Sequence, residues 1–125
     1  MPVAVIIGTR TPDRVDFEFA KLLSAHLVDA GWIVRTGGAV GIDTAAILGG
    51  NEIDPNRVWI YEPWEGFADP VADVDNQRIP LCQEWFDSIY RYHPTPWRLS
   101  KTARRLHARD FGMIEHPTRA DLVIA

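Results

Sequence analysis

The chain of 125 residues holds a single cysteine, Cys82. That excludes an internal disulfide and fits a reducing compartment. Cys82 carries no nucleophile signature and is expected to be buried. No apolar run approaches the roughly 20 residues of a membrane span. The opening Met1-Pro2-Val3 lacks the basic-then-apolar layout of a signal peptide, so the cytoplasm is the expected location. The four histidines, His26, His93, His107 and His116, include no pair at His-x₃-His spacing. No carboxylate–histidine set has metal-ligand spacing either, so neither a metal nor another cofactor is expected. Charge of one sign is also scarce. With 13 basic and 17 acidic side chains the formal net charge is −4. No global field draws in nucleic acid, although a local basic patch could act alone. Internal repeats, low-complexity tracts and linkers are missing.

What is present suits one globular domain over residues 1–125 with a sizeable core, at 46% hydrophobic content. Val3 to Ile7 is a continuous apolar run, the pattern of a strand buried on both faces. A loop at Gly8-Thr9-Arg10-Thr11-Pro12-Asp13 leads to a helix from about Val15 to Ala30, with Phe19, Leu22, Leu23 and Leu27 at helical spacing. Gly31 is the expected C-cap. Trp32 to Arg35 reads as a second strand. A glycine loop follows, then a helix expected to stop near Gly49-Gly50. Arg57 to Tyr61 reads as a third strand. From Glu62 to Pro80 the prolines, Gly66 and three aspartates indicate a long irregular loop, a common form for a functional lid. Leu81 to Tyr92 and a segment capped by Ser100 and running to about Asp110 read as helices. Asp121 to Ala125 reads as a last strand. The expected fold is α/β: a Rossmann-like three-layer sandwich with a mostly parallel sheet of about four strands, order 3-2-1-4. The last strand would lie at an uncovered edge, which points to a homodimer.

The richest stretch is Thr36-Gly37-Gly38-Ala39-Val40-Gly41-Ile42-Asp43. Strand, glycine loop and helix follow one another there. Such a loop lets backbone N–H groups approach an anion, and the helix start adds partial positive charge. Gly8-Thr9-Arg10 forms a second loop at the neighbouring strand end, and the two would border one crevice. Arg10 is placed to grip a phosphate, against the plain alternative of an ion pair with Asp13 or Asp16. Asp43 could cap the helix or hold a ribose hydroxyl. A basic row, Lys101, Arg104, Arg105 and Arg109, could clamp phosphates, and Trp64 or Trp97 could stack a base. The plain alternative for that row is a solvated helix face. Asp69, Asp73 and Asp75 could supply a general base, or only solvate their loop.

Three pieces of this chain resemble the superfamily that joins DNA-processing protein A, the Smf proteins and the LOG (lonely guy) phosphoribohydrolases. Val5-Ile6-Ile7-Gly8-Thr9-Arg10 is similar to its strand-Gly-Ser/Thr-Arg opening, and Ala30-Gly31-Trp32-Ile33-Val34 to its lead-in to the second strand. Thr36 to Ala46 is similar to its most specific piece, the "sGgA.GiD..A" loop and helix. The similarity is firm over residues 3–61. From Arg105 to Asp110 and from Ala120 to Ile124 the chain looks like phage-encoded relatives. The resemblance implies a Rossmann-like sheet binding nucleotide-like ligands or single-stranded DNA at its strand ends. It puts Gly8, Thr9, Arg10, Gly37, Gly38, Ala39, Gly41 and Asp43 in ligand-facing positions. The Pro-Gly-Gly-x-Gly-Thr-x-x-Glu motif with which LOG enzymes cleave the base–ribose bond does not occur here, which implies a minimal binding module or a shortened form of a longer protein. Three functions stay open. One is a module for a nucleotide, a cyclic or ADP-ribose-like signal, or a polynucleotide end. Another is a nucleoside-monophosphate N-glycosidase, with Glu62, Glu65 or the loop aspartates as its carboxylate. The third is a single-stranded DNA-binding accessory of recombination.

Overall fold

The computed structural model describes residues 1–125. Five strands, β1 (Val3–Ile6), β2 (Ile33–Thr36), β3 (Val58–Tyr61), β4 (Gln77–Ile79) and β5 (Leu122–Ile124), form one sheet in the order β4-β3-β2-β1-β5. Every pairing is parallel. The four helices are α1 (Arg14–Asp29), α2 (Ile42–Ile53), α3 (Gln83–Tyr92) and α4 (Lys101–Glu115). The expected α/β class holds, and so does the placing of the last strand beside the first. The sheet has one strand more than the expected order 3-2-1-4, because β4 adds to the edge beyond β3. No helix is long and apolar enough to cross a membrane.

Alternation along the strands divides the core. Ala4, Ile6, Val34, Val58 and Ile60 pack with Leu27 and Val28 of α1 and Ala46 and Ile47 of α2. Val5 and Tyr61 point the other way and pack with Trp85 and Ile89 of α3 and Ala108 and Met113 of α4. Successive strand residues face opposite sides, so a strand with helices on both faces must be apolar throughout.

The α1–α2 crossing corrects the reading of Gly49-Gly50 as a helix end. The helix runs on to Ile53. A Cβ on Gly49 would collide with the Lys21 carbonyl oxygen, and one on Gly50 with the Val58 side chain. The glycines let two helix backbones touch, and Ser24 Oγ donates to Ala46 O across the seam at 2.6 Å. Contact there outweighs the propensity cost of glycine, about 1 kcal/mol each. α4 likewise passes Asp110, since Gly112 lies flat against the Trp85 ring and Met113 is fully buried.

The segment from Glu62 to Pro80 is pinned by polar ties. Arg78 donates to both carboxylate oxygens of Glu62, at 2.8 and 2.6 Å, and to Asp69 at 2.7 Å. Ala68 N donates to Glu62 Oε2 at 2.9 Å. The Asn76 amide bonds Asn51 and the Pro55 carbonyl. Cys82, expected to be buried, is exposed just before α3, where no packing partner covers it.

Candidate anion-binding site

The first and second glycine loops meet. Ile42 N, at the start of α2, donates to Thr9 O at 3.1 Å. Gly41 has φ +100°, and a Cβ on it would lie 2.7 Å from Arg10 Cα. Only glycine permits both that backbone and that approach. At Gly8 only the space is tight: a Cβ there would lie 2.8 Å from the Ile42 side chain. The two loops form one ridge at the carboxyl ends of β1 and β2.

The ridge has a buried layer and an exposed layer. Gly37, Gly38, Ala39 and Asp43 are buried. Gly37 is covered by the Arg109 guanidinium and the Asp43 carboxylate, and Gly38 by Ala68 and Ile60. Asp43 does not serve as the N-cap, a position taken by Gly41. Its carboxylate accepts from Ala39 N at 3.2 Å, and Thr44 Oγ1 donates to Ala39 O at 2.9 Å. Residues 43 and 44 thus clamp both polar groups of Ala39 and fix the shape of the turn. Burial pushes the Asp43 pKa up to about 6, and the nearby Arg109 opposes the shift.

Gly8, Thr9, Arg10 and Val40 form the exposed layer, with Gly41 and Thr44 half-buried beside them. The N–H groups of Val40, Gly41, Asp43 and Thr44 find no acceptor in the protein. Arg10 is exposed and makes no ion pair with Asp13, Asp16 or any other carboxylate. Unspent donors at a helix start, with a free guanidinium beside them, can take an anion.

The basic row divides by burial. Arg109 is a buried tie: it donates to Gly37 O at 3.1 Å and to Asp110 at 3.2 Å, with its guanidinium 5.8 Å from the Phe67 ring centre. Burial raises the Asp110 pKa, against the pull of Arg109. Arg105 reaches Pro63 O at 3.3 Å and stands between two clefts. One, of about 620 Å³, lies beyond β3 and includes Trp64, Glu65, Asp69 and Arg78. The other, of about 280 Å³, lies between α3 and α4, where Phe86 and Tyr90 face Lys101, Arg104 and Arg105. Trp64 stands edge-on to Phe67 at 4.9 Å. Trp97 is exposed in the Pro96–Arg98 turn and lines neither of these clefts.

Two residues at the heart of this half of the molecule carried no site assignment from sequence. Arg35 is buried to 1% exposure inside β2 and donates to the Met113 and Thr118 carbonyls at 2.9 and 2.7 Å. Phe67 supplies the ring above Arg109. An arginine within an apolar strand was the one available signal, because a buried guanidinium must find acceptors.

The sheet order, the helices on both faces and the ridge at the strand ends define a Rossmann-like α/β domain. Residues 1–54 match the family described as DNA recombination-mediator protein A. The resemblance read from the loops therefore has an independent counterpart over β1, α1, β2 and α2. A solved structure of DNA processing protein A from Helicobacter pylori, described for its single-stranded DNA binding mode, is 28% identical, with a TM-score of 0.41. The match covers 50% of this chain and 27% of that one, so the chain spans well under two thirds of that relative. No curated protein sequence matches.

Proposed function

We propose that this domain binds a phosphate-bearing, nucleotide-like ligand on the ridge formed by Gly8-Thr9-Arg10 and Val40-Gly41 at the start of α2. The observation that carries the reading is the set of free N–H groups at residues 40, 41, 43 and 44 beside an unpaired Arg10. The match of residues 1–54 to a DNA recombination-mediator family supports a ligand of nucleic-acid chemistry. Gly37, Gly38, Ala39 and Asp43 shape the ridge from beneath. A thermal-shift screen of nucleoside monophosphates and pyrophosphate tests the reading. Ligand at 100 times its dissociation constant adds ~2.7 kcal/mol to folding stability. Arg10→Ala removes that shift. A wild-type protein that no phosphate ligand stabilises refutes the proposal.

A second reading, a single strand of DNA as the ligand, is favoured by the groove between α3 and α4. Lys101, Arg104 and Arg105 make no ion pair there, in a chain of net charge −4, and two aromatic rings face them. Rings that stack bases beside cations that hold phosphates are the working parts of strand-binding grooves. Oligonucleotide affinity should then fall with salt, with a log–log slope near −0.7 per phosphate contacted. A flat response removes this reading. An N-glycosidase reading is weaker. Glu62, the buried carboxylate beside the large cleft, already accepts from Arg78 twice and from Ala68 N. Intact AMP after incubation with the protein excludes it.

The outer edge of β5 has no strand beside it. Pairing of two copies along that edge is part of the proposal, and light scattering at increasing concentration checks it.

A further inference from the structure

The strand order reverses between β1 and β5. From β1 the chain steps to β2 on one side, and the final strand returns to the other side. α1, after β1, packs on one face, while α4, before β5, packs on the other. The sheet therefore opens a crevice at the carboxyl ends of β1 and β5, the place where open α/β sheets take ligands. A cleft of about 270 Å³ lies there. Most of its lining residues are apolar, among them Ile7, Phe19, Leu23, Ile42 and Ile124. The size lies just below that of drug-sized ligand pockets and suits one heterocycle.

Three features make this crevice more than an uncovered apolar face. Gly8 and Thr9 line it, so its mouth is shared with the ridge that carries the free N–H groups. Asp16 carries the only charged side chain among its lining residues and makes no ion pair. Phe19 is 64% exposed and leaves a ring face open. The arrangement is polarised. A phosphate is drawn to Arg10 and the amides and repelled by Asp16, so an anionic ligand lies with its neutral end in the crevice.

The geometry points to this crevice as the base subsite of the same ligand: a nucleotide whose base bears an exocyclic amine, its ring on Phe19 and its amine donating to Asp16. This inference rests on the phosphate reading above and adds base selectivity to it. Adenine and cytosine present an amine to the carboxylate. Uracil presents the O4 carbonyl where cytosine carries its amine, and the carboxylate repels that oxygen.

Calorimetric titration of the wild type, Phe19→Ala, Asp16→Asn and Arg10→Ala with AMP, UMP and ribose 5-phosphate tests both layers. AMP should bind the wild type more tightly than UMP. Phe19→Ala, a change at an exposed position, should weaken AMP about tenfold, the loss of one base–ring stack, and leave ribose 5-phosphate unchanged. Asp16→Asn should narrow the gap between AMP and UMP. If Arg10→Ala abolishes binding while Phe19→Ala and Asp16→Asn leave AMP untouched, the base subsite is overturned and the phosphate reading stands. If Phe19→Ala weakens ribose 5-phosphate as much as AMP, the ring acts on the fold and the subsite is again overturned. The subsite also falls if Phe19→Ala changes only the concentration dependence of the mass, which would make the crevice a contact between copies. If the wild type binds none of the three ligands, both readings fall.

Discussion

The two halves of the molecule are held together by different means. From β1 to β3 the chain is closed by apolar packing and by backbones brought into contact at glycine. Gly49 rests on Lys21 O and Gly41 on Thr9 and Arg10, and the one buried carboxylate there, Asp43, serves the glycine turn rather than the helix seam. From Glu62 onward the chain is tied down by arginines. Arg35 holds the end of α4 and the approach to β5, Arg78 holds the segment between β3 and β4, and Arg109 ties α4 to the glycine loop. Tyr61 belongs to the same scheme. Its hydroxyl donates to His116 O, and burial pushes its pKa up to about 12. The first half has volume complementarity at stake and the second has buried hydrogen bonds. The candidate site stands where the halves join, with Asp43 from one and Arg109 from the other.

The largest effect should come from spoiling the glycine contact. Gly49→Val puts two methyl groups where the Lys21 carbonyl lies and should cost about 3 kcal/mol or more. Even Gly49→Ala should destabilise, although alanine is the better helix former. A rise in melting temperature for the alanine variant would show that the helices do not touch at that point.

The joint between the halves is next, and its signature is pH dependence. The Asp43 pKa is raised from 3.8 to about 6 in the folded chain, with desolvation as the main cause. Between those values the folded state holds this proton more tightly than the unfolded state does. Stability therefore falls as pH rises through the window, by roughly 3 kcal/mol when the shift is converted at 1.36 kcal/mol per unit. Asp43→Asn can still accept from Ala39 N. It should remove that slope, so the stability difference between variant and wild type should widen from pH 4 to pH 6.5. A constant difference would mean that the carboxylate is not buried. Asp110, whose pKa burial also raises, adds a dependence of the same sign.

Breaking the second half should act locally. Arg35→Met leaves the Met113 and Thr118 carbonyls without their donor and should cost about 2 kcal/mol. Hydrogen exchange should speed up across 113–124 before it does so in α1 and α2. Equal loss of protection in both halves would contradict the division drawn here. The smallest effect belongs to Arg78→Ala. The guanidinium is one-third exposed, and its pairing with Glu62 and Asp69 should contribute about 1 kcal/mol. The expected result is faster exchange at residues 68 and 77–79 with little change in melting temperature.

The same division governs what could be read in the sequence. Strands β1, β2 and β3 announce themselves as short apolar runs, the first two followed by glycine, and the meeting of the two loops follows from their position after neighbouring parallel strands. β4 is three residues long, two of them polar and exposed, and carries no periodic signal. Gly49 and Gly112 were legible as glycine but not as contacts, because their partners Lys21 and Trp85 lie far away along the chain. The end of α4 was hidden by Arg109 and Asp110, which look like a solvated terminus and are instead paired against Gly37. Within the site, the sequence named the residues of the ridge but could not separate the buried layer from the exposed one. That separation depends on Ala68, Phe67 and Arg109 arriving from the second half.

The central claim is that free amides at the start of α2 and the Arg10 guanidinium take an anion together. The most direct measurement is a ¹⁵N-resolved NMR titration with AMP. The account predicts that the amides of Val40, Gly41, Asp43 and Thr44 shift first and most, with Gly8 and Thr9 following, and that Arg10→Ala abolishes these shifts. Shifts confined to the α3–α4 groove, or an amide spectrum unchanged at millimolar AMP, would contradict it.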